Sequence, residues 1–390
     1  MNYALRSNDI RQANEKLVLN LVFQHELISQ SQVVNLTGLK APTVFRIFAK
    51  LEEAGFIHPC DAEQLRDEPK DPERKGRRPS YYCAEPSSGY AVGVDFSSIG
   101  VSVILVDFCN KVIHQDTSEF TESPDRERTL QLIESMITQA LSATGVEKSA
   151  LIGIGIAAPG VVDTENGVVL EYARIEGLSG YSLCEHFEAL FESPVYVHNN
   201  ASIIASSAYH YGVARDEDSL LAVLVRFGVG AGLVNHGKIF LNGTHTALEI
   251  GRTAVCCAST DDVAGDRSTL ETMIAEQPLL TRLQDHYPVK TWVDVGEQLS
   301  LDQLNEALEL ERLTFAMSVR NLFHIFHPDA VLLISRYQPL SEFLADAARN
   351  AVPELRVISM VYDPVQACYG ATDIVFQQFF SGAPTQTPRP

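Results

Sequence analysis

The sequence predicts an α/β protein in two parts: a small helical unit with a β-wing over residues 1–85, then a larger two-lobed α/β body over 86–380. Three observations support this division. Apolar residues recur at helical spacing up to Gly55, whereas from Tyr90 they gather in short strand-like runs. The run of strands at 90–118 has a weak echo at 220–241, which reads as two related lobes around a cleft. Charge separates the parts as well: residues 1–85 hold 12 Lys and Arg against 12 Asp and Glu. That leaves 18 of the chain's 30 basic residues against 38 of its 50 acidic ones for the remainder, which therefore carries the whole net charge of −20.

Taken in order, Ile10, Ala13, Leu17 and Leu21 predict an amphipathic helix over 9–24. Ser29 is a suitable N-cap for a second, short helix ending near Leu36, and Gly38 supplies the permissive backbone of a tight turn. A third helix opens at Ala41-Pro42, turns Val44, Ile47, Phe48 and Leu51 inward, and ends by Gly55. The polar stretch 60–75 reads as an excursion, Tyr81-Tyr82-Cys83 as the returning strand of the wing, and 86–89 as a linker. In the body, strands are expected at 90–96, 100–106, 112–118 and 151–157, with a helix at 126–143. Beyond them come a helix at 201–211, strands at 220–225, 231–234 and 238–241, a long buried helix around Phe315–Phe326 and a strand at 330–334. Lobe 1 then spans about 88–198 plus a C-terminal helix at 366–380, lobe 2 about 199–365, and 381–390 is a disordered tail.

The front unit has the pattern of a helix–turn–helix, whose second helix needs a free polar face to enter the major groove. With the apolar stripe of the third helix inward, Thr43, Arg46 and Lys50 share its outer face and Lys40 stands just before it. Thr can bond a base edge or phosphate, Arg can fork onto guanine, and Lys suits phosphate. The cluster Arg74-Lys75-Gly76-Arg77-Arg78-Pro79 suits a wing tip or arm in the minor groove, so Arg74, Lys75, Arg77 and Arg78 join the candidate DNA contacts. The bland alternatives are a small helical bundle with solvated charges and a localisation signal.

Composition excludes other classes. Hydrophobic content of 45% and charged content of 21% are those of an ordinary globular chain. No apolar run reaches the roughly 18 residues of a membrane span, and residues 1–10 lack a secretory apolar stretch. Seven scattered cysteines, an odd number, suggest reduced thiols and a cytoplasmic protein.

At this point the chain resembles the ROK family (repressors, open reading frames and kinases), specifically its transcriptional regulators. Residues 29–55 match the winged helix–turn–helix, and Gly76-Arg77-Arg78-Pro79 resembles the Gly-Arg-Pro of its wing. The segment 153–163, with Ala158-Pro159-Gly160 at its centre, looks like the Pro-Gly loop. Val195-Tyr196-Val197-His198-Asn199-Asn200-Ala201 looks like the sugar-site segment, and Gly228-Val229-Gly230-Ala231-Gly232 like the second phosphate loop. Glu249-Ile250-Gly251 and Leu270-Glu271 complete the set. The resemblance implies an actin-like, ribonuclease-H-like pair of lobes behind the DNA-binding unit. It also implies sugar contacts at Gly160, Asn199, Asn200, Glu249 and Glu271, and a homodimer or dimer of dimers.

The departures from the family pattern are chemical. Asp95-Phe96-Ser97-Ser98 replaces the Asp-x-Gly-Gly-Thr of the kinases, removing glycines that let backbone N–H groups approach phosphate. Arg226-Phe227 replaces a Gly-Thr, and Ser335-Arg336 replaces paired glycines. Asn200 stands where the kinases have a catalytic Asp, and an amide cannot accept a hydroxyl proton; loss of general-base help costs about 10²–10⁴-fold. The family's zinc site is eroded too, with Arg252 at its His position, Thr269 at one Cys position, and the adjacent Cys256-Cys257 remaining. No metal, cofactor or enzymatic activity is therefore expected.

The expected function is a sequence-specific repressor that binds an operator in double-stranded DNA and senses a sugar or sugar derivative. Arg252 either pairs with Glu249 or takes an anionic group on the ligand. The alternatives are an ATP-dependent sugar kinase carrying a DNA-binding module, and a DNA-binding factor that responds to no ligand.

Overall fold

The computed structural model describes residues 7–60, 80–255 and 269–381, with side chains from Arg11 onward. Helix α1 (Ser7–Gln24) is followed by β1 (Ile28–Ser29), α2 (Gln30–Thr37), α3 (Ala41–Glu53), β2 (Ile57–Cys60) and β3 (Tyr81–Ala84). Ser29 and Gln32 form a reciprocal capping box at the start of α2, and Gly38 closes it at φ 68°. As expected, α3 buries Val44, Ile47, Phe48 and Leu51. The inner face of α1 differs from expectation: Val18, Leu19 and Val22 are buried while Leu17 is 43% exposed. The run Leu17-Val18-Leu19 offers two adjacent apolar faces, and tertiary contact selects the one that meets α3 and β3.

The body contains two five-stranded sheets of the same design. In the first, β4 (Tyr90–Phe96), β5 (Gly100–Asp107) and β6 (Val112–Glu119) run antiparallel, while β7 (Leu151–Ala158) and β11 (Val195–Asn199) add in parallel, giving the order β11-β7-β4-β5-β6. In the second, β12 (Ser219–Val225), β13 (Val229–Asn235) and β14 (Lys238–Ile239) are antiparallel. There β15 (Ala330–Ser335) and β16 (Arg356–Val361) add in parallel, giving β14-β13-β12-β15-β16. The echo in the sequence is therefore a repeated three-plus-two sheet.

A small antiparallel sheet, β8 (Val161–Asp163), β9 (Val168–Glu171) and β10 (Tyr181–Ser182), follows the Pro-Gly loop, in addition to the strands expected from sequence. Helices α4 (Arg126–Thr144) and α5 (Leu183–Phe191) flank the first sheet. On the second lie α7 (Leu270–Ile274), α8 (Glu276–Gln284), α9 (Trp292–Gln298), α10 (Leu301–Ala307), α11 (Glu309–Phe326) and α12 (Gln338–Ala351).

Two helices join the lobes, α6 (Asn200–His210) and α13 (Pro364–Ser381). Close approach depends on small residues: a Cβ at Gly93 would lie 2.2 Å from the Cys368 carbonyl oxygen, and one at Gly155 would lie 2.0 Å from that of Ala371. The 86–89 stretch is no free linker. It forms a short 3-10 turn at Pro86–Ser88, Ser88 Oγ donates to the Gly55 carbonyl (2.7 Å), and the Phe108 N–H donates to that of Pro86 (3.0 Å). Phe23 of α1 packs at 4.6 Å from Phe376 and 5.0 Å from Phe380 (ring centroids), so the helical unit shares one apolar core with β4, β5 and α13.

Candidate functional site

On the outer face of α3, Arg46 and Lys50 are exposed and Thr43 is half-buried; Lys40 at the N-cap is exposed too. Lys50 is already engaged, with its Nζ 2.5 Å from Glu15 Oε2, while Arg11 Nε lies 3.4 Å from the other oxygen of the same carboxylate. Thr43, Arg46 and Lys50 line one open groove with Arg11, Asn14, Glu15 and Glu53. Arg74, Lys75, Arg77 and Arg78 lie outside the described residues. The hairpin from which their segment leaves is described, β2 pairing antiparallel with β3 from Ile57↔Ala84 to Cys60↔Tyr81. Across this hairpin Cys60 and Cys83 are joined in a disulfide, which corrects the expectation of thiols reduced throughout; adjacent strands bring the two together although 23 positions separate them in sequence. Cys109, Cys184 and Cys368 are free, and Cys256 and Cys257 lie outside the described residues.

Between the lobes lies a cavity of about 500 Å³, lined by Gly160, Glu171, Asn199, Asn200, Arg226, Glu249, Arg252 and Glu271 among others. The structure thus brings together all six cleft residues singled out by sequence. Their roles divide. Asn199 Nδ2 donates to the Gly160 carbonyl (2.7 Å) and its Oδ1 accepts from the Ala201 N–H (2.9 Å), so this amide mainly fixes the Pro-Gly loop against the start of α6. Gly160 itself needs to be glycine, at φ 78° with a Cβ position 2.1 Å from the Glu171 carbonyl oxygen. Asn200, buried at the first turn of α6, has no side-chain hydrogen bond among the described residues. Glu271 Oε2 accepts from the Val229 N–H at 3.1 Å.

Arg252 lies 2.5 Å from Glu171 Oε1 and 3.5 Å from Glu249 Oε2. Its charge is matched within the cleft, which favours the ion-pair reading of this position over an anion receptor. Burial raises the Glu249 carboxyl, Glu171 and Glu271 push the same way, and Arg252 opposes. Thr269, at the lost Cys position, caps α7 instead.

At the segments that depart from the family's phosphate loops, the chain's own side chains pack against one another beside the cleft. Asp95 at the end of β4 is 4% exposed and accepts a hydrogen bond from the Tyr362 hydroxyl, across the lobes. The Arg226 guanidinium, 7% exposed, stacks 4.3 Å from the Tyr362 ring centroid. Burial pushes the Asp95 carboxyl up to about 6, against the opposing pull of Arg226 and the Tyr362 hydroxyl. Phe227 is held between Arg174 at 4.5 Å and Arg336 at 4.7 Å, and Arg336 is anchored on the buried Glu276. In the sequence, Arg226, Phe227 and Arg336 stand out only as departures from the family pattern. Glu171, Arg174 and Tyr362 carried no motif to find them by.

A helix–turn–helix unit fused through one core to a two-lobed, sugar-kinase-like body defines a regulator-type architecture rather than a free-standing kinase. A ROK family model matches residues 91–358, and the chain belongs to the ROK family. It is 24% identical over 374 residues to a xylose repressor of Caldicellulosiruptor bescii, covering 91% of this chain and 90% of that one. Among solved structures it is similar to a ROK family transcriptional regulator described as a homolog of the E. coli MLC protein, with TM-score 0.75, 18% identity, and coverage of 96% of this chain and 97% of that one. A ROK family glucokinase from Streptomyces griseus, in complex with glucose and AMPPNP, matches with TM-score 0.60 and 19% identity, over 74% of this chain and 100% of its own.

Proposed function

We propose that this chain is a cytoplasmic, sugar-responsive, DNA-binding transcriptional repressor whose kinase-like body senses ligand without transferring phosphate. One observation carries the reading: a polar, saccharide-sized cleft lies in the same body whose apolar core continues into the helix–turn–helix. Residues 1–85 form the DNA-binding part. Lys40, Thr43, Arg46 and Lys50 meet the major groove, and Arg74, Lys75, Arg77 and Arg78 reach the backbone or minor groove. In residues 86–380, Asn200, Glu249 and Glu271 take vicinal hydroxyls of a sugar or sugar derivative, since amides and carboxylates offer paired acceptors and donors. Asn199 and Gly160 hold the loop that shapes the site. Asn200 supplies no base, and Arg226 with Phe227 fills the phosphate side, which supports loss of kinase activity. The regulator acts as a homodimer, which matches the half-sites of a palindromic operator.

Mapping of bound sites across the genome, combined with thermal-shift screening of sugars and sugar phosphates, tests this. The expected result is a short set of palindromic sites whose occupancy falls in Arg46→Ala, and at least one sugar that raises the melting temperature. Sugar-dependent ADP release by the purified protein, or occupancy unchanged in Arg46→Ala, defeats it.

A further inference from the structure

Two sulfurs and an imidazole converge at the base of the wing, remote from the cleft. The register of β2 and β3 sets His58 opposite Cys83 and Cys60 opposite Tyr81, so Cys60 and Cys83 are diagonal neighbours with Cα atoms 6.2 Å apart. The ligating atoms of His58, Cys60 and Cys83 all lie within 4.8 Å of one another. Both cysteines are half-buried and His58 carries a side chain 44% exposed, so ions and small thiols can reach them. Glu85 Oε2 lies 3.2 Å from His58 Nδ1, which sets a carboxylate beside the imidazole. None of these residues belongs to the 249–271 segment in which the family's own zinc ligands fall.

We propose that, when reduced, Cys60 and Cys83 together with His58 form a site for a thiophilic divalent cation of the Zn²⁺ class, and that the disulfide is the oxidised, metal-free state of that site. Two thiolates and one imidazole are the donor set that tetrahedral Zn²⁺ prefers, with water or the Glu85 carboxylate as the fourth ligand. A low-molecular-weight disulfide such as oxidised glutathione supplies the oxidising equivalents. One thiolate attacks it, forming a mixed disulfide and expelling one thiol. The second thiolate then displaces the other thiol, closing the Cys60–Cys83 bond. Two electrons pass to the oxidant. The lone pairs that held the metal now belong to disulfide sulfurs, which are poor ligands, and the cation leaves. In either state β2 stays fastened to β3.

The test uses the full-length chain with Cys256→Ser and Cys257→Ser, so that the paired thiols of the body contribute nothing. Reduced protein is titrated anaerobically with Co²⁺ and then with Zn²⁺. The expected result is one equivalent of Co²⁺ bound with a thiolate-to-cobalt charge-transfer band, lost when Zn²⁺ displaces it. Cys60→Ser or Cys83→Ser abolishes the band, and His58→Ala weakens binding roughly tenfold or more. Oxidised glutathione releases the metal, and peptide mapping recovers the Cys60–Cys83 linkage. A charge-transfer band that survives in the Cys60→Ser, Cys83→Ser double variant overturns the proposal. So does reduced protein that forms the disulfide on oxidation yet binds neither cation.

Discussion

Replacing Asp95 by asparagine isolates the electrostatics of the seam between the lobes. The wild-type carboxyl is raised from 3.8 to about 6, chiefly by burial, despite the nearby Arg226. The folded state therefore holds this proton more tightly than the unfolded chain does, and stability from this group is fullest below about pH 4 and falls as pH rises towards 6. At 1.36 kcal/mol per unit, two units amount to roughly 3 kcal/mol lost by pH 8, about half of it between pH 5 and 7.5. The amide of the Asp95→Asn variant cannot titrate and keeps the shape. Urea unfolding of both proteins at the two pH values should show the wild type losing on the order of 1 kcal/mol relative to Asp95→Asn as pH rises. The opposite sign would mean that Arg226 outweighs burial and that ionised Asp95 strengthens the seam, which would refute the reasoning.

Three further outcomes follow from particular contacts. Glu15→Gln releases Lys50 and Arg11 from their shared carboxylate; binding to a mixed-sequence duplex should tighten by roughly two- to fivefold at low salt, with a steeper salt slope in fluorescence anisotropy. Phe23→Ala removes the ring packed on Phe376 and Phe380; it should cost about 2–4 kcal/mol in chemical denaturation and weaken the ligand's effect on DNA binding more than ligand affinity itself. Asn200→Asp restores a base but leaves Arg226 and Phe227 in place, so a coupled ADP-release assay across a sugar panel should stay at background.

Local rules made the helix–turn–helix legible: the Ser29–Gln32 capping box, Gly38 in the left-handed region and the stripe of α3 are all encoded within 25 residues. The cleft was legible because Gly160, Asn199, Asn200, Glu249 and Glu271 sit in recognisable motifs. The seam was not, since Tyr362 and Asp95 are 267 positions apart and nothing in either neighbourhood names the other. The pairing of Cys60 with Cys83 needed the register of β2 on β3. In α1 the error was one of phase, because periodicity cannot choose between two apolar faces where Leu17, Val18 and Leu19 are consecutive.

Shared packing also constrains how a ligand could reach the operator. Val18, Val22, Ile28 and Phe48 of the helical unit lie in one core with Ala91, Ile104 and Val106 of the first sheet and Phe108 just beyond β5. The helical unit must therefore move with lobe 1, since interiors this closely packed shift as blocks rather than deform. If two copies met through lobe 1, lobe closure would leave the distance between their recognition helices unchanged and could not alter operator binding. In the proposed homodimer, a contact on lobe 2 would let closure swing both lobe 1 units at once. Lobe 2 has a face suited to it: Leu310, Leu313 and Met317 recur at i, i+3 and i+7 along α11, and Met317 is 57% exposed. If the proposed homodimer forms there, Met317→Glu should leave a monomer in analytical ultracentrifugation, keep sugar binding intact by thermal shift, and abolish high-affinity binding to a palindromic site. A variant that remains dimeric and still responds to ligand would place the contact elsewhere on lobe 2 or break the link between closure and release.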